Sequence, residues 1–335
     1  MGLKTDRQSL IGRIGRLPAE PFGALALDIF RYQAEYNPLY HEFLRLLSVR
    51  PGSVQSIESI PFLPIQFFKS YHVKTGEWEP ELTFSSSGTT AAATSRHLLR
   101  DAALYRQNAR RGFEFFYGPT SNYAVLALLP AYLERSGSSL VFMADDFIRQ
   151  SAYPESGFFL HNTDALIAVL ARCRDKSIPT LLLGVSFALW ELAEKHPMSL
   201  SGVVIMETGG MKGRRREITR EELHAILRDA FGVESIHSEY GMTELLSQAY
   251  SQGGGLFRPS PSMRVLAREI TDPLALQRPG ATGALNIIDL ANLDTISFIA
   301  TDDLGRVYPD GSFEVLGRHD AGDVRGCNLL VADVG

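Results

Sequence analysis

The run Thr83-Phe84-Ser85-Ser86-Ser87-Gly88-Thr89-Thr90 crowds hydroxyl side chains around one glycine. Hydroxyls and backbone N–H groups can donate to a polyphosphate, and glycine lets the main chain come close to the anion. The spacing is not that of a Walker A loop, so a P-loop NTPase is disfavoured. An ordinary turn has the same composition, so the run needs company to mean anything. Four further clusters provide it. Glu239-Tyr240-Gly241-Met242-Thr243-Glu244 offers a ring to stack on a base, a hydroxyl for a phosphate oxygen and a carboxylate for Mg²⁺. Thr208-Gly209-Gly210-Met211 gives a bare stretch of backbone on which a flat ligand can lie. Thr301-Asp302-Asp303-Leu304-Gly305 brings a carboxylate able to accept both ribose hydroxyls, and Gly317-Arg318-His319-Asp320 brings a charged donor. Taken singly, each of these also reads as a plain turn or helix start.

The whole chain limits the classes open to it. It has 335 residues, is 45% hydrophobic and 21% charged, and carries a net charge of −5. That balance argues against a general nucleic-acid binder, whose surface must be basic. The basic run Lys212-Gly213-Arg214-Arg215-Arg216 reads first as a solvated turn before a helix. Two cysteines, Cys173 and Cys327, are too few for a disulfide framework. Met1 to Arg16 lacks an apolar h-region, and no apolar stretch is long enough to span a bilayer, so a cytoplasmic protein is expected.

The elements that must position these clusters follow from periodicity. Pro21 to Val49 has helical spacing with a break at Asn37-Pro38, and Pro51 to Phe68 is irregular. Helices are expected over Arg100–Phe116, Asn162–Arg174, Ser186–Lys195 and Arg220–Phe231. Strands are expected over Ala124–Leu129, Ser139–Met143, Thr180–Leu183, Gly202–Glu207 and Val233–Ser238. This alternation predicts α/β layers on a mostly parallel sheet. From Phe257 onward short strands separated by turns predict a β-rich end: Met263–Arg268, Gly283–Asp289, Ile296–Thr301 and Ser312–Leu316. We read one composite domain over 1–335, with a helical and irregular part over 1–75, an α/β core over 76–256 and a β-rich subdomain with a short tail over 257–335.

Five clusters in this order are more specific than any one of them, and together they resemble the adenylate-forming superfamily. The Ser/Thr/Gly run resembles its phosphate loop. Tyr240 to Glu244 matches its Tyr-Gly-x-Thr-Glu motif. Thr301-Asp302-Asp303 resembles its Thr-Gly-Asp motif, with Asp302 in place of glycine. Gly317 to Asp320 resembles its Gly-Arg-x-Asp motif. Within the superfamily the chain resembles the LuxE-type acyl-protein synthetases most, through Phe84 to Thr90 followed by Ser95-Arg96, Thr208 to Gly213, and Gly326-Cys327. Phenylacetate-CoA ligases come next. The resemblance runs from about Leu39 to the end and departs in two places. Ala91 stands where the phosphate loop carries glycine, and Ala91 to Thr94 separate the loop from Ser95-Arg96. The mobile lysine-bearing domain of most relatives, about a hundred residues, is expected to be absent or vestigial.

The resemblance implies a fold, ATP and Mg²⁺ as cofactors, and a reaction. A carboxylic acid, expected to be a fatty acid, attacks the α-phosphate of ATP. The resulting acyl-adenylate passes its acyl group to a thiol. Ser85, Ser86, Ser87, Gly88, Thr89, Thr90, Gly209, Gly210, Tyr240, Gly241 and Asp303 are then the nucleotide-binding set. Thr243, Glu244, Arg318 and Cys327 are the catalytic set, with Glu244 holding the metal. Cys327, eight residues before Gly335 and near Arg325, is the implied acyl carrier, and an acyl-CoA-reductase-like protein the implied partner. A CoA ligase of the phenylacetate type and a non-catalytic adenylate-binding protein are the alternatives. Phe62, Phe67, Phe68, Phe113, Phe115 and Phe116 are either an apolar tunnel for the acid or plain core. His72, His97 and His237 lack metal-ligand spacing with cysteine, which argues against zinc. His237 either borders the adenylate or is a core histidine, and Cys173 reads as structural.

Overall fold

The computed structural model describes residues 3–86, 94–129, 137–159, 162–209 and 218–318. The N-terminal part is helical: α1 (Leu3–Ile14), α2 (Phe22–Tyr36) and α3 (Pro38–Leu46). The break between α2 and α3 falls at Asn37 because Pro38 cannot continue a helix but can begin one. The Asn37 side chain caps the new helix by accepting from the Tyr40 N–H at 3.0 Å. A short irregular stretch follows, with β1 (Leu63–Pro64) and α4 (Phe67–Ser70), and then the hairpin of β2 (Leu82–Ser85) and β3 (Arg96–Leu99).

The α/β region comprises α5 (Ala102–Tyr117), β4 (Ala124–Leu128), α6 (Ser139–Gln150), β5 (Gly157–Phe158), α7 (Thr163–Asp175), β6 (Thr180–Val185), α8 (Ser186–Lys195), β7 (Val203–Thr208), α9 (Arg220–Phe231) and β8 (His237–Tyr240). The rest is antiparallel: β9 (Ala249–Ser251), β10 (Leu256–Pro259), β11 (Met263–Arg268), β12 (Thr282–Asp289), β13 (Phe298–Val307) and β14 (Phe313–Arg318). Strands β5, β4, β6, β7 and β8 pair in parallel in that order. From β8 the sheet continues antiparallel through β9, β10, β14, β13, β12 and β11, and β1 pairs parallel with β13, giving 12 strands.

Burial follows the pairing mode. Every residue of β4 and β6 is buried, as expected of parallel strands covered on both faces, whereas β11 alternates buried and half-buried positions. One core surrounds β4, β6 and β7 with α5 to α9. The second joins α2 and α3 to β11, β12 and β13, so the N-terminal helices pack on the C-terminal strands. Buried polar groups fasten that packing. Gln33 donates to the Asn292 and Leu293 carbonyls at 3.0 and 3.1 Å, and Arg7 holds Asp294 with two bonds of 2.6 Å.

The strands of the α/β region pair in parallel as expected, and the β-rich end extends the same sheet antiparallel, so the sheet as a whole is mixed. Two other expectations need correction. Ser139–Met143 is not a strand but the first part of α6. The Ser138 hydroxyl caps the helix at the Val141 N–H, Met143 and Phe147 lie one turn apart on its buried face, and Asp145 pairs with Arg149 at 2.8 Å. The strand expected over Val233–Ser238 begins only at His237, since Gly232 ends α9 in the left-handed region (φ 60°) and a connection follows.

Candidate functional site

Tyr240 ends β8, where the sheet changes from parallel to antiparallel pairing. Three strands separate β8 from β13 in the hydrogen-bonded order, which in a flat sheet would mean about 19 Å. Yet the Tyr240 hydroxyl donates to Asp303 Oδ2 at 2.7 Å. The sheet must therefore curl, and its curl brings distant strands to one place. The Tyr240 ring sits edge-on against Phe257 and Phe313, with centroids 5.9 and 5.5 Å away. Asp303 faces Arg318 across the β13–β14 ladder, and Arg318 Nε lies 3.4 Å from Asp303 Oδ1. Burial raises the Asp303 carboxyl above its ordinary range, against the pull of Tyr240 and Arg318. Three of the sequence-predicted residues, Tyr240, Asp303 and Arg318, thus form one constellation. Arg318 is 64% exposed at its side chain, so it is accessible to a ligand.

Thr243 and Glu244 follow directly. The Glu244 carboxyl is buried, and burial raises its pKa against the opposing pull of the Ser95 side chain. Their backbone is held from behind. His97 Nδ1 lies 2.8 Å from the Thr243 carbonyl, and the Asn292 amide donates to the Glu244 carbonyl at 2.8 Å. The Glu244 carboxyl and Thr243 hydroxyl are hard oxygen donors, few in number. That suits Mg²⁺, which is commonly held by one or two carboxylates together with substrate phosphates. Among the described residues there is no cluster of three or more His, Cys, Asp or Glu able to hold a metal.

Ser85 and Ser86 stand at the end of β2. The Ser85 N–H donates to the Gly137 carbonyl at 2.8 Å, and Ser86 exchanges bonds with Ser95 across the hairpin at 3.1 and 3.0 Å. Ser87, Gly88, Thr89, Thr90, Gly210 and Cys327 lie outside the described residues, as do Ala91, Lys212 and Arg325. Gly209 follows β7 with φ 71°, a left-handed conformation that favours glycine, and its carbonyl accepts from the Ser186 hydroxyl at 2.8 Å. Gly241 is where a side chain would collide: a Cβ there would overlap the Glu239 carboxyl.

Sequence reasoning passed over the residues that support this site. Glu239 is buried, bonded by the Thr208 hydroxyl, and ties the end of β7 to the end of β8. Burial lifts its pKa to about 7, with nearby Glu207 pushing the same way. Glu207 accepts from Arg220 Nε at 3.1 Å and from the Ser186 hydroxyl at 3.0 Å, and His224 lies 3.5 Å from it. Burial opposes its ionisation, but His224, Arg220 and Ser238 prevail and its pKa is lowered. Two carboxylates closing adjacent strands were a readable signal, since buried charges need a reason.

His237 bonds the Tyr117 hydroxyl at 3.1 Å and is half-buried, with burial lowering its pKa. The six phenylalanines do not share one tunnel. Phe62, Phe67 and Phe68 belong to the N-terminal core, Phe113 and Phe116 to the α/β core, and Phe115 is exposed. Cys173 is buried in α7, and burial pushes its thiol up, as a structural cysteine requires.

No protein-family model and no curated protein matches the sequence. Solved structures do. An open conformation of 2-hydroxyisobutyryl-CoA ligase in complex with 2-HIB-AMP and CoA superposes with a TM-score of 0.64, at 13% identity, over 94% of this chain and 75% of that one. ATP-bound MatB from Rhodopseudomonas palustris gives 0.55 at 15% identity, over 72% of this chain and 49% of that one. The fold is that of the adenylate-forming ligases. O-succinylbenzoate coenzyme A synthetase (MenE) from Bacillus subtilis, in complex with AMP, has the same fold, with a TM-score of 0.50 at 18% identity over 70% of this chain and 49% of that one. The chain spans about half the length of MatB and MenE. In the adenylate-forming fold, the Tyr240–Asp303–Arg318 constellation lies at the carboxyl end of a parallel strand, where open α/β sheets bind ligands.

Proposed function

We propose that the chain activates a carboxylic acid with ATP and transfers the acyl group to a thiol. The observation that carries this reading is the meeting of Tyr240, Asp303 and Arg318 beside the Thr243–Glu244 loop. Asp303 accepts the ribose hydroxyls, and Arg318 faces the same carboxylate and donates to ribose or phosphate. Ser85 and Ser86 begin the loop that receives the phosphates, Gly209 gives the base a flat floor, and Tyr240 flanks it. Thr243 bonds a phosphate oxygen, and Glu244 holds Mg²⁺, whose charge offsets that on the phosphates.

In the first step a carboxylate oxygen of the acid bonds the α-phosphorus. The bond from that phosphorus to the bridging oxygen breaks, and pyrophosphate leaves. In the second, a thiolate bonds the acyl carbon and AMP leaves. We assign the thiol to Cys327, in keeping with the LuxE-type resemblance, with a fatty acid as substrate and a reductase-like protein as the eventual acceptor.

Incubation with ATP, Mg²⁺ and radiolabelled fatty acid is expected to label the protein in a bond that neutral hydroxylamine or excess thiol cleaves. Cys327→Ser is expected to lose more than nine-tenths of that label. Full labelling of Cys327→Ser would refute the carrier assignment. A second reading, free CoA as acceptor, is favoured by the fold neighbours, which include a CoA ligase solved with CoA. Acyl-CoA formation without a protein adduct would select it.

A further inference from the structure

His97 is fully buried, yet it is not in the nucleotide-binding or catalytic set. It lies on β3, the returning strand of the hairpin that carries Ser85 and Ser86. Its Nδ1 is 2.8 Å from the Thr243 carbonyl and its Nε2 is 3.2 Å from the Thr295 hydroxyl. A carbonyl only accepts, so Nδ1 carries the proton and Nε2 accepts from Thr295. Phe68 packs edge-on against the ring at 5.5 Å. Burial depresses the His97 pKa to about 4, so the neutral tautomer is the one present near neutral pH.

Ser95 stands two residues earlier, on the same face of an extended segment. Its side chain favours the charged form of the neighbouring Glu244 carboxyl, while its backbone is joined to Ser86. His97 on β3 and Ser95 just before it therefore bear on two adjacent positions of the Tyr-Gly-x-Thr-Glu loop, His97 through a hydrogen bond to the Thr243 carbonyl. The Thr295 end of the grip is itself fixed. The Thr295 carbonyl accepts from Thr75 at 2.6 Å and from Asn37 at 2.9 Å, both buried.

We propose that His97 is a positioning residue that locks the phosphate-loop hairpin to the Thr243–Glu244 loop, so that the phosphate-binding and metal-binding groups move as one unit. The proposal rests on the reading of this site given under Proposed function. His97 touches neither nucleotide nor acid. It acts by setting where the Thr243 hydroxyl and Glu244 carboxyl stand, and a misplacement of about 1 Å in such a group costs up to roughly 100-fold in rate.

The test is a three-variant series. His97→Asn keeps a donor near Nδ1 and so the bond to Thr243. His97→Gln places its amide near Nε2 and loses that bond. His97→Leu loses both. Acid-dependent ATP–pyrophosphate exchange is measured with ATP varied. The expected kcat order is wild type, then Asn within about fivefold, then Gln and Leu lower by about 10- to 100-fold, with KM for ATP changed less than about threefold. Hydrogen exchange of the peptide covering 241–247 should quicken at least tenfold in the Gln and Leu variants and not in Asn, as read against thermal melts of each. Equal rates and equal exchange across the series would overturn the proposal. So would a Gln variant that matches wild type while Asn fails. If wild type shows no acid-dependent exchange, the functional reading falls, and the hydrogen-exchange order alone still decides the role of His97.

Discussion

At the scale of single residues, Glu239 shows how the site stores an electrostatic cost. Its carboxyl is buried at the ends of β7 and β8, bonded by Thr208, and close enough to Gly241 to exclude a side chain there. Its pKa is raised from 4.5 to about 7, so folding takes up a proton between those values. The stability this gives is full below about pH 4.5 and is lost as pH rises through 7, where the charged form must be buried. Glu239→Gln stays neutral throughout. The variant is expected to melt at the same temperature as wild type near pH 5 and several degrees higher at pH 8, a difference on the order of 2–3 kcal/mol. Thermal melts across that range read it directly. A constant offset between the two proteins would show that Glu239 does not titrate there. His97 runs the opposite way: its folded pKa is depressed from 6.5 to about 4, so its contribution is present above 6.5 and lost as pH falls.

At the scale of elements, Arg220 joins the two halves of the sheet. It opens α9, bonds the Glu207 carboxyl at the end of β7, donates to the Val315 carbonyl on β14 at 3.1 Å, and lies 5.0 Å over the Phe257 ring of β10. Arg220→Ala leaves Glu207 buried with the His224 ring, 3.5 Å away, as its remaining basic neighbour. We expect a loss of about 3 kcal/mol in urea unfolding, near the low end for a buried pair broken on one side, because Arg220 keeps part of its side chain in water. A loss below about 1 kcal/mol would mean that the halves are joined elsewhere. The elements themselves were largely legible. Asn37-Pro38 marked a helix boundary, and the apolar runs of β4 and β6 marked buried strands. What escaped was decided outside the local pattern. Five residues of α6 look like a strand until the Ser138 cap and the next two turns are counted. The hairpin of β2 and β3 consists of four-residue strands flanking a polar run, too short for a periodicity to show.

At the scale of the whole molecule, the curl of the sheet makes the site. Tyr240, Asp303 and Arg318 were each readable from short motifs, but nothing in a sequence brings β8 against β13. The grip of His97 and Asn292 on the loop was equally hidden, because it joins residues about 150 and 50 positions apart. The same holds for the N-terminal helices, whose core is completed by strands from the far end of the chain. The account's central claim is that this assembled site makes acyl-adenylates. Its most direct test is exchange of radiolabelled pyrophosphate into ATP, measured with Mg²⁺ over a panel of carboxylic acids from acetate to long-chain fatty acids. We predict exchange that requires both the acid and Mg²⁺ and that is strongest with one chain-length class. Exchange with no acid in the panel, beside a positive control ligase under the same conditions, would contradict it.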